Sequence, residues 1–221
     1  MKLLIEALVK FACGLLMVGL LIFLPAGTLG YPNGWLLMAL LFVPMLIAGF
    51  VMLAKSPDFL KKRLDGKEKQ GTQKGVVAIA GLMFIAGFVV AGLDFRFGWS
   101  SMPTWVVVTA SVLFLIAYGL YAEVMRENAY LSRTIKVEEG QTVVDTGLYG
   151  IVRHPMYAVT ILLFMMMPLM LGSWYALIAF SFYPAAIVIR LTDEEKLLTK
   201  ELPGYAKYKQ KVKYRIIPFI W

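Results

Sequence analysis

Apolar residues in this chain gather into long unbroken runs, and polar residues collect in a few blocks between them. About 20 residues of helix cross the roughly 30 Å of bilayer hydrocarbon. Four runs meet that length, at Phe11 to Leu29, Trp35 to Ala54, Gly75 to Leu93 and Pro103 to Ala122. Pro44 lies inside the second, where a membrane helix tolerates it as a kink. The separators Gly30 to Gly34 and Asp94 to Trp99 read as tight turns, the second an aromatic one at a membrane interface. Two further runs, Tyr157 to Leu171 and Trp174 to Ile189, are shorter and meet at Gly172-Ser173, which predicts a short hairpin, extended by its flanks or tilted. The pattern therefore predicts an all-α polytopic membrane protein of about six spans, the last two a short helical hairpin, followed by a C-terminal helix up to Pro203-Gly204. It also predicts two regions: residues 1–122 with four transmembrane helices, and residues 123–221 with the polar blocks, the hairpin and the tail.

Composition agrees, since 60% of the 221 residues are hydrophobic and only 16% are charged, with a mean hydropathy of +0.73. The first run is longer than the apolar core of a signal peptide and leads straight into a second span, so it is read as a retained helix. Charge sets the expected orientation. With a cytoplasmic amino terminus and six crossings, only Arg96 of the 22 basic residues falls outside, a strong positive-inside asymmetry. Both termini and the block Lys55 to Lys74, with seven basic residues against three acids, are then cytoplasmic. The net charge of +8 lies in loops and tail, where anionic membrane lipid is the expected partner and nucleic acid is not. A single cysteine, Cys13, and a single histidine give no metal set. Oligomeric state is left open.

Chemically capable residues concentrate in two places. The stretch from Gly147 to Tyr157 holds Tyr149, Arg153, His154 and Tyr157, and Pro155 predicts a helix start capped by His154. The free N–H groups of that helix start could seat a carboxylate; the plain alternative is an interfacial anchor. The second group is Arg190, Glu194 and Glu195, where Arg190 and Glu194 share a helical face, as in an ordinary ion pair. An antiparallel hairpin brings the two groups together. The resulting pocket could hold a zwitterion with a cationic centre: Glu194 for an ammonium or ribose hydroxyl, the helix start for a carboxylate, Tyr149 or Tyr157 for an aromatic ring or sulfonium. No glycine-rich nucleotide motif or serine protease set is present. A channel would need polar residues in several spans, and the first four have little beyond Thr109 and Ser111.

The order DTGLYGIVRHPMY, an apolar hairpin, Arg190-x-x-x-Glu194-Glu195, then PGYAKYKQKVKYRIIPFIW resembles the isoprenylcysteine carboxyl methyltransferase family over about residues 123–221. That family is related to membrane phospholipid N-methyltransferases. The resemblance implies S-adenosyl-L-methionine as cofactor, with S-adenosylhomocysteine as product. It implies cofactor contacts from Gln141, Thr142, Val143 and Val144, from Tyr149, from His154, Pro155, Met156 and Tyr157, and from Glu194 with Glu195. Arg190 would face the acceptor, so that Arg190 and Glu194 carry the transfer; no metal is implied. One departure is Ala158, where the family often has glycine. The implied reaction is carboxyl O-methylation of an isoprenylcysteine-like or other amphiphilic lipid substrate. Phospholipid or amine N-methylation, which needs a base, and an NADPH-dependent steroid- or sterol-type reductase are the alternatives.

Overall fold

The computed structural model describes residues 1–64, 71–131, 137 and 139–221, with the backbone alone at Gly71, Thr72 and Lys74. The described residues form helices α1 (Lys2–Ala26), α2 (Pro32–Lys55), α3 (Pro57–Leu64), α4 (Gly71–Phe97), α5 (Thr104–Glu127), α6 (Pro155–Leu171), α7 (Trp174–Phe180), α8 (Tyr183–Glu201) and α9 (Tyr205–Lys211), with a 3₁₀ turn at Gly147–Gly150. No strand occurs among them. Five helical stretches are long and apolar enough to cross a membrane: α1, α2, Gly75–Phe97, α5 and the run Trp174–Glu201. The 17 residues of α6 reach only about 25 Å, so this is the shallow member of the predicted set. The fold is a polytopic helical membrane protein.

Each span is apolar all round because it has two different apolar neighbours. On α1, Leu16, Leu20 and Leu24 are exposed one turn apart, while Val18, Ile22, Phe23 and Ala26 are buried. The exposed row suits lipid and the buried row packs on α4. At Gly92 a side-chain Cβ would lie 2.5 Å from the Ile22 carbonyl oxygen, so only glycine lets α1 and α4 approach this closely. The core then runs from α1 and α4 through Phe88 and Phe114 to Leu163, Phe180 and Leu191.

Three expected boundaries shift. The separator at Asp94 to Trp99 is mostly helix, because α4 continues to Phe97 and the turn begins at Gly98, whose φ is +61°. Asp94 is therefore a helical residue, buried where three turns meet. Its carboxylate accepts from the Ser100 backbone N–H (2.8 Å), the Ser100 hydroxyl (2.6 Å) and the Ser173 hydroxyl (2.5 Å). The block expected as a loop from Lys55 contains α3, an amphipathic helix with Leu60 buried and Lys61 exposed; Asp65, Lys67, Glu68 and Lys69 of that block lie outside the described residues. The last apolar run breaks at Ser181-Phe182, and α8 carries its second half on to Glu201.

Contacts sort the polar groups to two ends of the bundle. Lys10 on α1 donates to the Leu64 carbonyl (2.8 Å), Arg63 bonds the Tyr121 hydroxyl on α5, and Gln73 at the start of α4 donates to Asp193 on α8 (3.1 Å). These contacts gather α3, the start of α4 and α8 at one end. Tyr31 donates to the Leu171 carbonyl (2.5 Å) at the other, where Asp94 also sits.

Candidate active site

The hairpin of α6 and α8 sets up the site from two sequence features. Pro155 occupies the first position of α6 with His154 as its N-cap, as expected from the missing proline N–H and its fixed φ. Arg190, Glu194 and Glu195 follow on α8, opposite the start of α6. The Tyr157 hydroxyl bridges the two helices. It donates to Glu194 Oε2 and accepts from Arg190 Nε (3.1 Å). Arg190 Nη1 also donates to Gln73 Oε1 (3.3 Å). Tyr157 thus links Arg190 with Glu194, so the predicted shared face is completed by a phenol from the opposite helix.

Glu195, one residue on, serves a different set of partners. It is buried, and its Oε1 accepts from Arg153 Nε at 2.6 Å with His154 Nε2 at 3.3 Å; Arg215 Nε lies 3.2 Å from Oε2. Arg153 Nη1 also donates to the Val212 and Lys213 carbonyls, both at 2.8 Å. The backbone N–H groups of Arg153 and His154 donate to the carbonyls of Tyr214 and Arg215 (2.9 Å each). The carboxylate held beside the His154-Pro155 turn is therefore the chain's own. Removing one member of such a buried ionic cluster costs about 3–5 kcal/mol because the remaining charge is left unpaired. Glu195 acts as the clasp by which the hairpin holds the tail.

A cavity of about 940 Å³ opens onto the other carboxylate. Its polar end is lined by residues 141–144, Tyr149, His154, Met156, Tyr157, Arg190 and Glu194, which covers the predicted site residues except Pro155 and Glu195. Its long apolar end runs between α1, α2, α4 and α5, past Leu8, Phe11, Met45 and Phe50. Groove and head are thus continuous.

Several lining or bracing residues were not singled out from the sequence. Tyr205 and Tyr208 of α9 close the polar end. The Tyr208 hydroxyl donates to the Tyr149 carbonyl (2.7 Å), and the Tyr205 hydroxyl lies 3.4 Å from His154 Nε2. Asn128 donates to the Tyr149 hydroxyl (3.0 Å). Burial pushes the Tyr149, Tyr205 and Tyr208 phenols well above the ordinary tyrosine value, so they stay protonated and can donate. Glu127 braces the loop before Tyr149 by accepting from the Leu148 N–H through both oxygens (3.1 and 3.0 Å). Gly147 is required there: its φ is +51°, and a Cβ would fall 1.4 Å from Glu127 Oε1. The regular spacing of tyrosines in YAKYKQK was the available signal for α9; nothing local marks Gln73, Asn128 or Glu127.

Among the described residues no group of acidic, cysteine and histidine side chains could hold a metal ion. The polar lining offers a carboxylate at Glu194 beside the tyrosines Tyr149 and Tyr157, a set that can receive a cationic, ring-bearing ligand.

The model of the isoprenylcysteine carboxyl methyltransferase (ICMT) family matches residues 104–200, from the start of α5 almost to the end of α8. The match starts earlier than the motif-based resemblance and stops before the tyrosine-rich tail. A protein of Bacillus subtilis (strain 168) described as uncharacterized protein YpbQ is 29% identical over 96 residues, covering 43% of this chain and 57% of that protein. The chain thus spans little more than half the length of this relative. The motif residues at the start of α6 and on α8 fall inside the family match, and over residues 104–200 this membrane protein is similar to the isoprenylcysteine carboxyl methyltransferase family.

Proposed function

We propose that the protein is an S-adenosylmethionine-dependent membrane methyltransferase that esterifies the carboxylate of an amphiphile, an isoprenylcysteine-like acid being the class that fits best. The observation that carries this reading is the position of the Arg190–Tyr157–Glu194 bridge at the point where the polar end of the cavity meets the apolar groove. Residues 141–144, Tyr149, His154, Tyr157 and Glu194 would hold the cofactor. When bound, S-adenosylmethionine supplies a methyl group on a positively charged sulfur, which passes to an acceptor oxygen as the carbon–sulfur bond breaks.

The chain's own task is alignment and exclusion of water. A carboxylate acceptor is already anionic at neutral pH, so no strong base is needed, and orientation in a dry site supplies the acceleration. Arg190 carries the cation that attracts the acceptor, and Glu194 carries the anion that favours a cationic cofactor over an anionic acceptor. Tyr157 keeps the two a fixed distance apart. Clustering of basic residues at this end of the bundle supports a cytoplasmic site, with both termini on that side.

The test is methyl transfer from isotope-labelled cofactor to N-acetyl-S-farnesylcysteine by detergent-solubilised protein. Arg190→Lys keeps the charge but loses the planar fork. Its turnover should fall steeply while S-adenosylhomocysteine affinity stays within a few fold. Loss of cofactor affinity as complete as in Glu194→Gln would make the two residues one structural pair and withdraw the assignment. A titration in which NADPH binds and S-adenosylhomocysteine does not would replace the methyltransferase with a reductase.

A further inference from the structure

Arg63 is the residue at this end of the cavity whose chemistry the proposed transfer leaves unused. It lies on α3, outside the region matched by the family, and lines the same cavity as Arg190 and Glu194. Two contacts fix its guanidinium: one N–H group bonds the Tyr121 hydroxyl, and the cation lies 5.6 Å from the centre of the Tyr121 ring. Among the described residues, Arg63 Nη1 is the buried side-chain nitrogen or oxygen that has no hydrogen-bond partner. A buried guanidinium N–H without an acceptor is costly, and native structures retain such a group where a functional role, a water or a bound ion or ligand accounts for it.

The surroundings define what that ligand is. Leu60 and Leu64 from α3, Leu4 and Leu8 from α1, and Met125 from α5 line the cavity together with Arg63, so the anion must carry an apolar chain. The nearby cation Lys10 is already engaged by Glu6 (2.6 Å) and the Leu64 carbonyl. The charges of Arg63 and Glu194 both act on the Tyr149 hydroxyl, with opposite signs. Arg63 and Tyr121 line the same cavity as Tyr149 and Glu194, so Arg63 borders it from the side of α3 and α5.

We propose that Arg63, through Nη1 and with the Tyr121 hydroxyl beside it, binds the carboxylate of the acceptor amphiphile, whose apolar chain lies in the groove between α1, α2 and α4. One oxygen accepts from Nη1; the other accepts from the Tyr121 hydroxyl, whose proton is not used in its bond with Arg63. The guanidinium supplies directional N–H groups as well as charge, which is how arginine selects carboxylates. With Arg190 facing the same cavity, the acceptor head is held between two guanidinium groups, and α3 becomes part of the substrate site.

This inference rests on the amphiphile reading above, and the experiment separates the two. Full-length protein in nonionic detergent is titrated with N-acetyl-S-farnesylcysteine, with its uncharged methyl ester and with S-adenosylhomocysteine. The variants are Arg63→Gln, Arg63→Lys and the exposed control Lys61→Gln. The expected result is a loss of about tenfold or more in acid affinity for Arg63→Gln, in line with a lost hydrogen bond to a charged group. Arg63→Lys should recover part of it, and ester and S-adenosylhomocysteine affinities should not change in either. Unchanged acid affinity in Arg63→Gln would overturn the proposal, leaving Arg63 a strut against Tyr121. Equal losses for acid and ester would do the same, by showing collapse of the groove. Loss of S-adenosylhomocysteine affinity alone would reassign Arg63 to the cofactor's carboxylate. If the wild-type protein binds neither acid nor ester, the amphiphile reading itself fails and the inference falls with it.

Discussion

The two ends of the helical bundle each bury a carboxylate, and they use it in opposite ways. At one end Asp94 is held by hydroxyl and amide donors from Ser100 and Ser173. Its partners belong to the turns that join the spans, and the small hollow beside it is lined by residues such as Tyr31, Asn33 and Gly172. At the other end Glu195 is held by Arg153, His154 and Arg215, and its neighbour Glu194 faces a cavity of about 940 Å³. The first end is closed by neutral donors. The second is closed by cations, and this leaves an adjacent acid on the same helix facing the cavity. The difference teaches that a buried charge alone does not mark an active site; what distinguishes the second end is a clasp behind the wall and a differently partnered acid in front of it.

Substitutions at the two ends should separate stability from binding. The largest loss is expected for Glu195→Gln, which leaves Arg153 buried without its counter-charge and releases the tail. Thermal or denaturant unfolding in detergent should show a loss of about 3 kcal/mol, together with weaker S-adenosylhomocysteine binding. Gly147→Ala comes next. A side chain there meets Glu127 and must adopt a positive φ, for about 2 kcal/mol, and it should lower cofactor affinity by displacing Tyr149. Asp94→Asn keeps the shape but weakens bonds to a charged acceptor, for about 1–2 kcal/mol. Its S-adenosylhomocysteine affinity should match the wild type, and a fall there would mean that the two ends are not independent. Glu194→Gln should cost least, about 0.5 kcal/mol, while weakening cofactor binding more than Asp94→Asn does.

Much of this was legible in the chain because membrane spans announce themselves by length. The α6 start at Pro155 was equally plain, since proline fixes both the position and the cap. Arg190 and Glu194 could be set on one face by helical spacing, and the hairpin brought them to Tyr157. Spacing could not show that Glu194 and Glu195 part company, because adjacent helical residues differ by about 100° in direction and what each meets depends on the tail. Asp94 read as a turn residue, since an acid after an apolar run ordinarily marks an interface; its burial depends on Ser173, far along the chain. The helix at α3 was hidden by its charge, because in Pro57–Leu64 only Leu60 is a fully buried residue. Gln73 and Asn128 act through partners on other helices, and no local pattern reports such contacts.

The most direct test of the account is calorimetric titration of S-adenosylhomocysteine into wild-type protein, Glu194→Gln and Asp94→Asn on one preparation scale. The account predicts one site per chain in the wild type, unchanged binding in Asp94→Asn, and a loss of about tenfold in Glu194→Gln, the size of one lost charged hydrogen bond. Absence of binding to the wild type, or equal affinity in Glu194→Gln and wild type, would contradict it.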